Sequence, residues 1–384
     1  MESADGSLVA RTTVNVLVKL PDGTVVEEDG RVVFFSLERF VNDICLGDCC
    51  FLCGRSPGSA PFSDEHVIPD WILTWMQLHA KVVTLPNGAE VRYDRYKVPC
   101  CSECNARMAT TFEEPLSHLF KAGQEALERD MKENGAWRVF AWLALIFLKT
   151  HLKDREFRWH LDARKGTETI SERYFWEHLH HIHCVARSFI SGCQPKREVM
   201  GSLLVAQVRT FGWETEKFDY GDLFVAHSIL LRLQDVVIIA VLNDSGICLR
   251  AIDHLISRIE GPLSPPQFRE LMLRLAACNL SLASMPRFST QIDARSGTCE
   301  IVRTEPPVLG EFDRSLFGAL MESRCGPLVT ALNPPNRDQI LEGLRGGRLT
   351  FLFDDEGKFI HESTILTVRG APAGSAEDTG DASQ

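Results

Sequence analysis

The sequence predicts an α+β chain in several parts, with a small cysteine-held module near the N-terminus. Three observations carry this. Short β-branched runs separated by turn residues occupy residues 8–35. Two Cys-x-x-Cys pairs, Cys50–Cys53 and Cys101–Cys104, enclose a stretch with a hairpin signal of its own. An apolar stripe of helical period then opens at Trp137, and mixed strand and helix signals follow beyond residue 200.

Composition bounds the rest. A chain of 384 residues exceeds one ordinary core, and 45% apolar with 24% charged residues is the balance of a water-soluble globular protein. The net charge of -11 lacks the basic excess of a general nucleic-acid binder. Residues 45–120 hold six Lys/Arg against nine Asp/Glu, so any DNA contact there must come from a local basic face, a metal or a partner. Met1–Ser7 is polar and acidic, without the apolar core of a secretory leader. The longest apolar run, Trp137–Leu148, contains Arg138 and is too short to span a bilayer. Thirteen cysteines, an odd count without a leader, point to the reducing cytoplasm, with four metal thiolates and mostly buried free thiols elsewhere.

The elements follow in order. Val14, Val16 and Val18 alternate, Pro21-Asp22-Gly23 turns the chain, and Thr24–Val26 and Arg31–Phe35 complete a β-meander; Ser36–Ile44 reads as one short helix capped by Ser36. These make a first part, residues 1–44. In a second part, 45–115, Pro69 opens a helix through Trp71, Trp75 and Leu78, whose spacing marks them as core rather than base-stacking residues. Val82–Leu85 and Glu90–Val98 flank Pro86-Asn87-Gly88 as a hairpin, and Asn105–Phe112 begins a helix. A helical part, 116–199, holds the Trp137 helix and a second long helix over about Thr169–Ile190. In a mixed part, 200–369, Ser202–Val208 and Val236–Val241 read as buried strands, and Ser264-Pro265-Pro266 starts a helix. Phe288–Asp293 with Cys299–Val302, and Leu349–Phe353 with Phe359–His361, read as hairpins. Residues 370–384 are small and polar and read as a disordered tail.

Chemistry concentrates in the second part. A Cys-x-x-Cys turn presents two thiolates to one ion, and two such turns close a tetrahedral zinc site with no position left for water. Cys49 and Cys100 duplicate the outer positions, but Cys50 and Cys101 give two intervening residues at both knuckles. Residues 54–100 separate the knuckles, more than the roughly 15–20 of common zinc ribbons, so the gap must carry structure of its own.

Cys50-x-x-Cys53, then Glu65-His66-Val67-Ile68-Pro69, then Cys101-x-x-Cys104-Asn105 resembles the zinc-knuckle branch of the HNH endonucleases, over about residues 48–115. The resemblance implies a ββα-metal (treble-clef) module. It implies structural Zn2+ on Cys50, Cys53, Cys101 and Cys104, and a catalytic Mg2+ or Mn2+ held by Glu65 and Asn105. It further implies His66 as the general base of DNA hydrolysis, as in restriction or phage-defence nucleases. The family often has histidine where Asn105 stands. The alternative is a non-catalytic zinc module, with a degenerate site, that binds protein or nucleic acid. Arg92, Arg95, Lys97 and Arg107 are the phosphate-contact candidates nearest the second knuckle. Asn87 reads as a turn residue rather than an orienter of His66. In His178–Cys184, the set His180, His183 and Cys184 shares one helical face, yet reads as a buried helix face rather than a metal site. Gly346-Gly347 reads as a turn, not a phosphate loop.

Overall fold

The computed structural model describes residues 16–209, 217–293 and 296–361. The chain divides into two compact units. The first comprises Met1–Leu203, Leu242–Ile247 and Ser284–Val308; the second comprises Leu204–Val241, Cys248–Ala283 and Leu309–Gln384.

The first unit opens with an antiparallel sheet of β1 (Leu17–Lys19), β2 (Val25–Glu27) and β3 (Val32–Phe34), in that order. Asp22 makes its first turn by accepting from the Thr24 amide and hydroxyl, each at 2.9 Å. The part of the meander expected before residue 16, Val14 included, lies outside the described residues. The helix expected over 36–44 has two hydrogen-bond patterns. α1 (Leu37–Arg39) is capped by the Ser36 hydroxyl, which accepts from Arg39 N at 3.1 Å. Phe40–Cys45 then widens to a π-helical turn that buries Phe40, Ile44 and Cys45 together.

β4 (Phe62–His66) follows, then α2 (Asp70–Trp75), β5 (Val82–Thr84), β6 (Glu90–Arg92) and β7 (Lys97–Cys101). α2 stops before Leu78, because Gln77 takes φ +56° and folds buried Leu78 back under the helix end. The β5–β6 hairpin forms at Asn87-Gly88, but a 3-10 turn at Tyr93–Arg95 ends it. The stretch expected as one strand over 90–98 is therefore two strands, and the second pairs elsewhere. β7 runs antiparallel to β4, with Phe62 opposite Cys101 and His66 opposite Lys97. It leads directly into α3 (Ser102–Met108), a π-helical turn at Ala109–Glu113, and α4 (Glu114–Ala122).

After α5 (Gln124–Asn134), α6 (Trp137–Lys153) is buried from Val139 to Lys153 and lies against β7. Trp71, Phe120 and Trp142 pack together between α2, α4 and α6 with ring centroids 5.7–6.2 Å apart, which places Trp71 in packing as its spacing predicted. The second long helix, expected over Thr169–Ile190, is not continuous. Thr169 and Glu172 form a capping box on a single 3-10 turn, and extended Tyr174 then breaks the path. Only α7 (His180–Ala186) and α8 (Ser188–Ser191) are α-helical.

β8 (Gln194–Pro195) pairs in parallel with β14 (Thr298–Glu305), which also pairs with β13 (Arg287–Asp293) as the expected hairpin. Because Gln194 lies opposite Glu300, Cys193 and Cys299 come side by side at a Cα separation of 4.4 Å and form a disulfide. Those two depart from the expected free thiols; Cys45, Cys184, Cys248, Cys278 and Cys325 are buried and outside any disulfide.

A four-stranded sheet, mostly of the second unit, consists of β9 (Ser202–Gln207), β10 (Phe218–Leu223), β11 (Ser228–Leu233) and β12 (Val236–Val241), in the order β10-β11-β12-β9. β11 and β12 are buried throughout, as a sheet covered on both faces requires; β9, at the sheet edge, is mostly half-buried rather than buried. After the short α9 (Ile247–Ala251) and α10 (Asp253–Ile256), α11 (Pro265–Leu280) starts from a Ser264–Gln267 capping box and packs on β11 and β12. α12 (Arg314–Leu332) and α13 (Arg337–Arg345) pair, and Gly346-Gly347 ends α13 as a turn. The hairpin expected over 349–361 shrinks to one bridge, Phe353 with Phe359, because the Phe351 amide donates to Glu270 instead of a ladder. The expected tail lies outside the described residues.

Candidate metal centre and the adjoining polar site

The first knuckle is a tight loop closed by Gly54 N donating to Cys50 O and Cys50 N donating to Arg55 O, both at 2.8 Å. Gly54 sits at φ +75°, and a Cβ there would stand 2.6 Å from the Phe35 ring, so glycine is required twice over. The second knuckle straddles the end of β7 and the first turn of α3. Cys101 caps the helix, and its sulfur accepts from Cys104 N at 3.5 Å.

Together these turns gather the sulfurs of Cys50, Cys53, Cys101 and Cys104 within 4.8 Å of one another. A zinc tetrahedron with bonds of about 2.3 Å needs sulfurs about 3.8 Å apart, and Cys53 and Cys101 stand at 3.6 Å. The set fits a structural Zn2+. Cys100 also lies close, 3.8 Å from Cys50, but the gathered set contains Cys101. Burial pushes the Cys101 thiol up to about 11, and contact with neighbouring thiols holds Cys50 far below the usual range. A cation is what lets such a crowded set ionise together. Arg55 faces the same sulfurs. Its Nε donates to Cys53 at 3.4 Å and its Nη2 to Cys101 at 3.6 Å, while Glu103 anchors it at 2.5 Å.

The adjoining polar groups lie on β4. Alternation puts Ser63 and Glu65 on one face and Asp64 and His66 on the other. Asn105, one residue past Cys104 on α3, donates its amide to Ser63 Oγ at 3.0 Å. Glu65 is buried, and its Oε1 accepts from Lys149 Nζ at 2.6 Å; the same ammonium donates to the His66 carbonyl at 2.7 Å. The two side chains are 2% and 9% exposed, so water does not screen the pair. Glu113 stands near enough to feel Lys149, Glu65 and Asp70, and burial pushes its carboxyl up to about 7.

His66 has Nδ1 3.8 Å from Asp70 Oδ1, an ion-pair distance too long for a hydrogen bond. Asp70 is instead bonded to His79 Nε2 at 3.0 Å. Burial first, then the Lys97 charge, lowers the His66 pKa and favours neutral imidazole. Asn87 is a turn residue: its Oδ1 accepts from Ala89 N at 2.8 Å and its Nδ2 donates to Arg158 O at 2.6 Å. As now arranged, the oxygen donors do not fit a divalent cation. The Glu65 carboxylate is held by an ammonium group, and the Asn105 side chain is turned by its amide to Ser63.

Of the basic candidates, Arg92 pairs with Asp94 at 2.5 Å and Arg107 donates to Phe189 O at 2.7 Å. Arg95 is exposed and Lys97 half-buried opposite His66. The histidine run is spent on carbonyls: His180 on Phe35 O, His181 on Val199 O, and His183 on Phe51 O at 2.7 Å. Among the described residues it gathers no metal-ligand group.

Sequence reasoning missed Lys149, Arg55 and Arg187, whose buried guanidinium donates to Leu52 O inside the first knuckle at 2.8 Å. Arg55 had a signal, since it stands two residues beyond Cys53. Lys149 had a fainter one, a cation directly after the apolar run Trp137–Leu148. Among the described residues, no helix is long and apolar enough to cross a membrane. No protein-family model, curated protein or solved structure matches the chain.

Proposed function

We propose that the β4–β7 pair, α3 and the two knuckles form an HNH-like zinc module that hydrolyses DNA phosphodiester bonds, with His66 as general base. One observation carries this reading. An antiparallel strand pair leads into a helix across a four-thiol cluster, and the first strand ends in Glu65-His66.

In that chemistry a water oxygen attacks phosphorus, and one sugar P–O bond breaks. His66 takes the water's proton, and the leaving oxygen takes one from solvent. A depressed imidazole pKa keeps His66 unprotonated and competent at neutral pH. With Nδ1 on the Asp70 side, Nε2 is the nitrogen left for water. Arg95 and Lys97 are the basic groups nearest β7 for phosphate contact.

The second reading is a non-catalytic module that binds a protein or nucleic acid. The Glu65–Lys149 pair favours it, because that carboxylate is already neutralised. Plasmid cleavage with Mg2+ or Mn2+, comparing wild type with His66→Ala, separates the two. The nuclease reading expects nicking by wild type and its loss in the variant. Intact plasmid under both metals, with wild type and with Lys149→Met alike, rejects it.

A further inference from the structure

We infer that Lys149 is the resident cation of the Glu65 site. Its ammonium fills the place a divalent ion would take, and the site admits such an ion only once that ammonium is withdrawn or removed. This rests on the proposed HNH-like reading of the module, in which the resemblance implies Glu65 as a cation ligand.

The first support is the cost of the lysine itself. Lys149 lies about one turn from the C-terminal end of α6, 2% exposed, where its neighbours Ile146, Phe147, Leu148 and Leu152 are all buried. A buried ammonium is strongly unfavourable unless paired and fully hydrogen-bonded, so an apolar residue would serve plain packing better. Lys149 is therefore explained by what it meets. It meets two oxygens, Glu65 Oε1 at 2.6 Å and His66 O at 2.7 Å. These are hard, anionic or carbonyl donors of the kind Mg2+ and Mn2+ choose.

The second support is exclusion. An ion bound by Glu65 at about 2.0–2.1 Å would lie against an ammonium now 2.6 Å from the same oxygen. Both cannot be held there, and like charges in a dry site repel strongly. The third support is what removal would leave. The buried Glu65 carboxylate would remain without its counter-charge, and an uncompensated buried carboxylate attracts a divalent ion.

The test uses the full zinc-loaded chain and Mn2+ as the probe. Free Mn2+ is followed by electron paramagnetic resonance in wild type, Lys149→Met and Glu65→Gln/Lys149→Met, with melting curves as the check of folding. Lys149→Met is expected to bind one Mn2+ at least about tenfold more tightly than wild type, about 1.4 kcal/mol. The double variant should lose that gain. If Lys149→Met does not fold, Lys149→Gln keeps a donor without the charge and carries the same expectation. The inference is overturned if wild type binds Mn2+ as tightly as the folded variant. Plasmid cleavage by the same proteins is read separately. Tighter Mn2+ binding with no cleavage by any of them keeps Lys149 as resident cation and sinks the nuclease reading. Mn2+-dependent cleavage by wild type that is lost in Glu65→Gln/Lys149→Met, with no gain of Mn2+ affinity in Lys149→Met, does the reverse.

Discussion

Replacing Arg187 with methionine should cost about 3–5 kcal/mol of stability, and the reason lies in three carbonyls. The Arg187 guanidinium is buried and donates to Leu52 O at 2.8 Å, Val33 O at 2.7 Å and Val32 O at 2.6 Å. Leu52 stands between the two cysteines of the first knuckle, and the valines belong to β3, so one side chain ties knuckle to sheet. The Phe35 ring covers it at 4.7 Å. Burial lowers its pKa to about 10 from 12.5. That opposes the charge by about 3 kcal/mol, at about 1.4 kcal/mol per unit. Three bonds to a charged donor return about 5–9 kcal/mol at about 1.5–3 each. The surplus is about 2–6 kcal/mol, and truncation adds the cost of three carbonyls left dry. Arg187→Lys should fare little better, because one ammonium cannot reproduce a fork spread over three acceptors. Urea unfolding with measured zinc content is the assay. A loss below about 1 kcal/mol in Arg187→Met, with zinc retained, would refute the accounting.

Two further perturbations follow from the same geometry. Atomic absorption should find about one zinc per chain, and Cys101→Ser/Cys104→Ser should lose it and unfold the module, because a closed thiolate site contributes its binding energy to folding; a zinc-free yet stably folded protein would overturn the four-cysteine assignment. Glu113 bears on pH: a carboxyl raised from 4.5 to about 7 in the folded state contributes stability that is full below about 4.5 and lost as pH rises through 7. Glu113→Gln should therefore gain on wild type between pH 5 and pH 8 by at most about 3 kcal/mol, and identical pH profiles in urea melts would contradict it.

What the sequence disclosed and what it hid divide along a physical line. Local rules were legible. Asn87-Gly88 made its hairpin, Ser264-Pro265 made its helix start, and two Cys-x-x-Cys spacings fixed which thiols would gather. Each of these depends on residues a few positions apart. The Thr169–Ile190 stretch misled because its apolar spacing suits a helix, whereas the Thr169–Glu172 capping box closes only one turn before Tyr174 extends. No periodicity reports that choice. The roles of Lys149 and Arg187 were hidden for another reason, since their partners are remote in sequence. Lys149 reads as the first polar residue after the apolar run of α6 until β4 is laid beside it and Glu65 arrives from 84 positions away. A buried charge is costly alone, so its position becomes intelligible only with its partner. The same reasoning limits what a motif can say about activity. Glu65-His66 keeps its spelling whether Glu65 faces an open cation site or an ammonium group, and the residue that decides between them lies outside the motif.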